Sequence, residues 1–322
     1  MRVTFPGALL VLLNVVCDSM VVRSAPRMGA LTKGAGNVLV VGNGPVFLLA
    51  AKWAATAGYS TTIIGGTRTD LYNDLLWSPK TPALPNLRVL DVSDEGVASF
   101  NSAVAEADGV IIAFDQEQVL SDSLLEVVMP TDSSKSRRVV VLSRNLNGAG
   151  LGPLASASKL AANAQVWAGG KYIEMYKEFE AKVQARAKLC ESTDVVVVRA
   201  GTYKGGGPGD LTSDASAAQG LSAKFYDVQQ KDLVNWQLIF DCTVRGVRLT
   251  PGDTAKGPGF RAVFTATSFE VENGDSGRIA CASACVEALQ RPELGGKDFG
   301  VATEKSRESP TEAEWDALFA TV

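Results

Sequence analysis

The chain contains no histidine. Neither a Ser-His-Asp nor a Cys-His catalytic unit can be built from it, and histidine-ligated zinc is excluded. Any general base must be Asp, Glu, Lys or Tyr. Cysteine is sparse: Cys17, Cys190, Cys242, Cys281 and Cys285, with no C-x-x-C pair. That is not a disulfide framework, and it fits a reducing compartment. Cys281 and Cys285 stand four residues apart in an alanine-rich stretch, the spacing of buried thiols on one helix face. No metal site is expected. There is no surplus of basic charge: 31 Lys and Arg against 35 Asp and Glu give a net charge of −4, so nothing electrostatic points to nucleic acid. Acidic residues are absent from Ser19 to Thr69. After the N-terminal apolar run, no segment is long and apolar enough to cross a bilayer.

What is there begins with that N-terminus. Arg2 precedes a short apolar run, Ala8–Val16, followed by an acid-free stretch carrying Arg23, Arg27 and Lys33. This pattern is a targeting leader, assigned to residues 1–34. A secretory signal ahead of a basic, acid-free stretch is similar to the two-part leader of proteins sent into the plastids of secondary algae. Plastid (chloroplast) targeting is therefore expected, with simple secretion as the alternative.

The central signal is a strand-to-helix turn. Val38–Val41 run into Gly42-Asn-Gly44-Pro45-Val-Phe47 and then a helical stretch that stops at Gly58. Gly42 frees the turn, and Gly44 lets backbone amides approach a diphosphate. The helix N-terminus offers unpaired N–H groups and partial positive charge to that anion. Phe47 stands where the third glycine of G-x-G-x-x-G is usual. Its ring either lines a widened dinucleotide pocket or plugs it. At the end of the second strand, Gly65-Gly66 replaces the acid that favours NAD. Arg68 is placed to meet a 2′-phosphate, so the cofactor expected is NADP; a solvated loop arginine is the alternative.

From Asn37 onward, strand and helix signals alternate. Strands are expected at 61–64, 87–90, 109–113, 138–142, 195–198 and 299–301. Helices are expected at 95–107, 121–128, 173–189, 277–290 and 312–319. Continuous Val/Ile runs between helices signal a parallel sheet buried on both faces. The expected fold is α/β: a Rossmann-like parallel sheet with helices on both faces in a domain over 35–322. A smaller C-terminal subdomain is expected from 202 to 269.

Three segments in order resemble one family: the turn Gly42–Phe47; the unit Lys182 to Arg199-Ala-Gly201; and Ser276-Gly-Arg-Ile-Ala280 through Leu289 to Pro292–Phe299. Together they resemble atypical short-chain dehydrogenase/reductases of the NmrA-like, NAD(P)-binding kind. The resemblance places Asp91 near an adenine. It matches Ser143 and Lys182 to the family's catalytic serine and lysine. The family's Tyr-x-x-x-Lys pair, in which lysine lowers the tyrosine pKa and holds the ribose, occurs nowhere in this chain. Tyr176 is either a displaced proton donor or a packing residue on the helical face of Tyr172, Phe179 and Val183. The resemblance therefore implies a dinucleotide binder that is non-catalytic or weakly catalytic, acting as a scaffold or assembly subunit of a plastid or thylakoid complex. An NADP-dependent oxidoreductase with a non-standard proton donor is the alternative. A flavin or sugar-nucleotide binder is a third reading, which Gly65-Gly66 disfavours.

Overall fold

A computed structural model describes residues 29–64, 69–79, 81–115, 119–131, 135, 137–145, 171–190, 192–206, 219–222, 224, 244–254, 275–306 and 308–322. Seven helices alternate with or follow ten strands among them. In chain order these are β1 (Asn37–Asn43), α1 (Pro45–Thr56), β2 (Ser60–Ile64), α2 (Thr69–Leu76), β3 (Leu87–Leu90), α3 (Val92–Glu106), β4 (Gly109–Phe114), α4 (Asp122–Val128) and β5 (Arg137–Arg144). Then come α5 (Lys171–Leu189), β6 (Thr193–Ala200), β7 (Thr202–Lys204), β8 (Gly246–Pro251), β9 (Asp275–Gly277), α6 (Arg278–Gln290), β10 (Asp298–Glu304) and α7 (Glu312–Phe319).

Eight strands form one sheet in the order β3-β2-β1-β4-β5-β6-β10-β8. All pairs are parallel except β10 with β8. The run 3-2-1-4-5-6 is the Rossmann order, in which the chain winds outward on both sides of β1. This is the expected α/β, Rossmann-like sheet. Its switch point lies between β1 and β4, and that is where such sheets leave a crevice at the carboxyl ends of their strands.

The strand alternation explains why both faces are covered. Val38 and Val40 of β1 and Val140 and Leu142 of β5 point to one face, with α1, α2, α6 and α7. Leu39, Val41, Val139 and Val141 point to the other, with α3, α4 and α5. A period of two sends successive side chains to opposite layers, so a strand buried on both faces must be apolar throughout. Both layers end in local signals. Ser121 caps α4 by accepting from Leu124 N–H, and Thr311 with Glu314 forms a capping box on α7. Trp315 and Phe319 of α7 stack, and Phe319 meets Phe299 of β10 edge-on.

Three boundaries differ from the sequence reading. Residues 29–34, placed in the leader, pack on the body: Leu31 is buried, and its N–H donates to Leu289 O at 2.8 Å. A Cβ on Gly29 would lie 2.7 Å from Asp194 Cβ, so that segment is held against the sheet. Residues 1–28 lie outside the described residues. Within 202–269, assigned to a subdomain, β8 belongs to the main sheet as its antiparallel edge. Most of the remainder of that range, including the helix expected near Trp236 and the strand expected at 260–269, lies outside the described residues. The helix α2, not expected from the sequence, buries Tyr72, Leu75 and Leu76. The short pair β7–β9 was also not expected.

Candidate functional site

The site is built where β1 turns into α1. Gly42 is paired with Ala113 of β4, so closely that a Cβ on it would sit 1.7 Å from Ala113 O. Gly44 is the N-cap of α1, with φ +89, and it offers no side-chain cap. Pro45 follows at the first helical position, where its missing N–H costs nothing. Leu48 N–H is the first to bond back, to Gly44 O at 3.3 Å. The amides of Val46 and Phe47 thus have no helical acceptor, which makes this terminus a place for an anion.

Next to this turn, four charged and aromatic side chains span the carboxyl ends of the central strands. Asp115 follows β4, and a Cβ on Gly44 would lie 2.5 Å from its Cβ. Arg278, at the first turn of α6, donates from Nε to Asp115 Oδ1 at 2.7 Å and from Nη1 to Gly205 O at 3.0 Å. Tyr203 of β7 meets two guanidiniums: Arg144 lies 4.1 Å and Arg278 5.6 Å from its ring centre. The Tyr203 hydroxyl donates to Phe114 O at 3.3 Å. Arg144, Tyr203 and Arg278 are all buried. Burial pushes the Tyr203 hydroxyl well above its ordinary pKa, and the Arg144 charge pulls the other way. Behind the stack, burial pushes the Cys281 thiol up to about 12. Cys281 and Cys285 are inert buried thiols, as their spacing led one to expect.

The sequence-derived site residues fall in different places. Gly42 and Gly44 are at the crevice. Phe47 offers its backbone amide there, while its ring is fully buried, meets Tyr72 of α2 edge-on with centroids 5.7 Å apart, and packs between α1 and α2. Asp91, after β3, accepts from Thr69 Oγ1 at 3.1 Å at the start of α2. Arg68 lies outside the described residues. Ser143, one residue before the end of β5, is fully buried, with no hydrogen-bond partner for its hydroxyl. Tyr176 is buried too, close enough to Arg144 and Tyr203 to act on both electrostatically. Lys182 stands apart from them. It is six residues from Tyr176, about 240° round the helix. Its ammonium is 2.9 Å from Asp122 and 2.8 Å from Glu178, on the outer surface between α4 and α5. The structure therefore does not assemble Ser143, Tyr176 and Lys182 into one unit.

The stack residues Asp115, Arg144, Tyr203 and Arg278 were not expected from the sequence. Arg144 adjoins Ser143, and Arg278 lies inside the segment Ser276–Ala280, but a single arginine at a strand or helix end reads as solvated. Pairing across 163 positions, as between Asp115 and Arg278, leaves no local pattern. A cavity of about 380 Å³ lies at the other end of the sheet, lined by Asn37, Thr62, Arg88, Ser102 and Glu106 among others. It is remote from the glycine turn. Among the described residues no cluster of His, Cys, Asp and Glu suits a metal ion, and no helix is long and apolar enough to cross a membrane.

No protein-family model matches the chain, and no curated protein matches it. Solved structures do. A short-chain oxidoreductase from Pseudomonas aeruginosa PAO1 containing an atypical catalytic center is 12% identical, over 87% of this chain and 100% of that one, with a TM-score of 0.45. The oxidoreductase ylbE from Lactococcus lactis is 11% identical over 88% and 97%, with a TM-score of 0.44. A protein described as an NAD-dependent epimerase/dehydratase from Bacillus halodurans is 13% identical over 84% and 96%, with a TM-score of 0.41. At such values the fold assignment rests on the strand order itself, and the likenesses add no functional argument.

Proposed function

We propose that this chain binds NADP at the carboxyl-end crevice, in the manner of short-chain dehydrogenase-like proteins. We further propose that it is non-catalytic or weakly catalytic and serves as a scaffold or assembly subunit of a plastid or thylakoid complex. The observation that carries the binding is the start of α1, with glycine at its N-cap, no side-chain cap and two amides without helical acceptors at the β1–β4 switch point. A diphosphate fits that chemistry, held by the amides of Val46 and Phe47 and approached past Gly44. NADP, when bound, would supply or accept a hydride. The lysine matched to the usual relay, Lys182, is not beside it: Lys182 is engaged with Asp122 and Glu178 on the outer surface.

Arg68 supports NADP over NAD by its place two residues beyond Gly66. NADPH should bind more tightly than NADH, and Arg68→Ala should erase most of the difference. A charge-assisted contact of this kind is worth about 1.5–3 kcal/mol. Isothermal titration of both nucleotides into both proteins measures it, and equal affinities in the unmutated protein would remove the NADP assignment. The plastid reading rests on the pattern of residues 1–28, with secretion as the alternative. The packing of Leu31 supports a leader that ends ahead of Gly29.

A second reading is favoured by one observation. Tyr203 lies beside the crevice with the Arg144 guanidinium 4.1 Å from its ring centre, a positive charge of the lysine's sign that only partly offsets the rise in the hydroxyl's pKa from burial. In that reading the chain is an NADP-dependent oxidoreductase, with Tyr203 as its non-standard proton donor.

A further inference from the structure

Among the described residues, buried arginines pair with carboxylates: Arg138 with Asp194, Arg199 with Glu180, Arg278 with Asp115, and Arg291 with Asp316. Arg137 and Arg144 are buried to the same degree without an ion pair among the described residues; Arg137 donates to Ala105 O at 3.2 Å and has Asp108 near it, whereas Arg144 lies against Tyr203 at the carboxyl end of β5. Its guanidinium carbon lies 4.1 Å from the centre of the Tyr203 ring, the Tyr203 side chain is its hydrogen-bond partner, and its Nε–H has no acceptor. Asp115 lies within electrostatic range of Arg144, but its carboxylate is engaged by Arg278 at 2.7 Å. The stack therefore holds two cations and one anion, a net positive charge out of water. An arginine stays protonated under such conditions, so the charge cannot be shed. Isolated buried charge is costly and is found where something is to be bound. Contact with Tyr203 leaves the Nε–H for an acceptor. An oxygen of a carboxylate or phosphate is the acceptor that a guanidinium N–H binds most strongly.

We propose that Arg144 is an oxyanion receptor, which takes a carboxylate or phosphate group of a second ligand in the crevice. The receptor is distinct from the glycine turn. β5 is two strands from β1 in the sheet, a separation of about 9.5 Å, so one diphosphate on α1 does not also satisfy Arg144. The receptor shares the crevice with the proposed NADP site but does not depend on NADP binding there.

The test is thermal unfolding of the full mature chain with sodium acetate, with inorganic phosphate, and with sodium chloride at matched ionic strength. Wild type should gain several degrees in Tm with acetate, phosphate or both over the chloride control, and which salt acts identifies the oxyanion. Arg144→Met should show no such gain. In chloride its Tm should lie above that of wild type, because a lone buried charge has been replaced by an apolar chain of similar length. Arg144→Lys should keep only a fraction of the gain, since it loses the Nε–H. The unmutated protein gives an independent readout: one buried arginine Nε–H resonance should shift on acetate or phosphate titration. No gain in wild type with either salt, an equal gain in Arg144→Met, or a spectrum in which no buried Nε–H moves would each overturn the proposal. NADPH titration in parallel separates the two readings. Wild type that binds NADPH and ignores both oxyanions overturns the receptor alone. An oxyanion response confined to proteins with Arg144 supports the receptor even where NADPH does not bind.

Discussion

Gly42→Ala is expected to leave no stably folded protein. The added Cβ would lie 1.7 Å from Ala113 O and 2.7 Å from Ala113 C, both of them backbone atoms of the adjacent central strand. No side chain can swing aside to relieve the contact. β1 and β4 are hydrogen-bonded from Val38–Gly109 to Asn43–Phe114, so relief means parting the sheet at its centre. The cost should exceed about 4–5 kcal/mol, which is comparable with the whole stability of an ordinary domain. Gly252→Ala is the control. Gly252 also has positive φ, +62, but a Cβ there meets nothing nearer than Asp298 Oδ2 at 4.0 Å. It should lose only about 1–2 kcal/mol, the backbone cost alone. Soluble yield and urea unfolding separate the two, and a Gly42→Ala protein within about 1 kcal/mol of wild type would refute the packing described for the turn.

Asp194→Ala should be nearly as damaging. Arg138 is completely buried, 2.9 Å from Asp194. It also donates to Ala288 O at 3.0 Å and Arg291 O at 2.9 Å, so it ties the end of α6 to the sheet. Burial drives the Arg138 pKa down more than Asp194 raises it, so the pair does not fully offset the cost of leaving water. Removing Asp194 strands the guanidinium at a cost of about 3–5 kcal/mol. The pair is therefore better understood as fixing geometry than as adding net stability. Urea unfolding of the double variant Arg138→Met/Asp194→Leu should recover much of the loss, since neither charge is then buried unpaired. If Asp194→Ala unfolds within about 1 kcal/mol of wild type, the ion pair does not hold α6 as described.

The sheet was legible because burial on both faces forces its central strands to be apolar at every position. Val139–Leu142 and Val195–Val198 admit no other reading once helices flank them. β8 was not legible: Gly246-Val-Arg-Leu-Thr-Pro is an edge strand, half apolar and ended by proline, and only its pairing with β10 identifies it. α2 is two turns long, and its apolar positions Tyr72, Leu75 and Leu76 are too few to stand out beside a proline-rich loop. Missing α2 also misdirected Phe47, because Tyr72 on α2 is what receives its ring. The glycine turn was legible because its chemistry is local. The stack was not, since Asp115, Arg144, Tyr203 and Arg278 come from four separate stretches and meet only where the strands end.

The central claim is that a dinucleotide binds at the carboxyl ends of β1 and β4, on the amides that open α1. Hydrogen–deuterium exchange of the mature protein with and without saturating NADPH tests it most directly. The expected result is slowed exchange confined to the turn and first helical residues, 42–48, and to the stretch around Asp115. Protection at the opposite cavity instead, over 37–39 and 99–107, or no change anywhere, would contradict it.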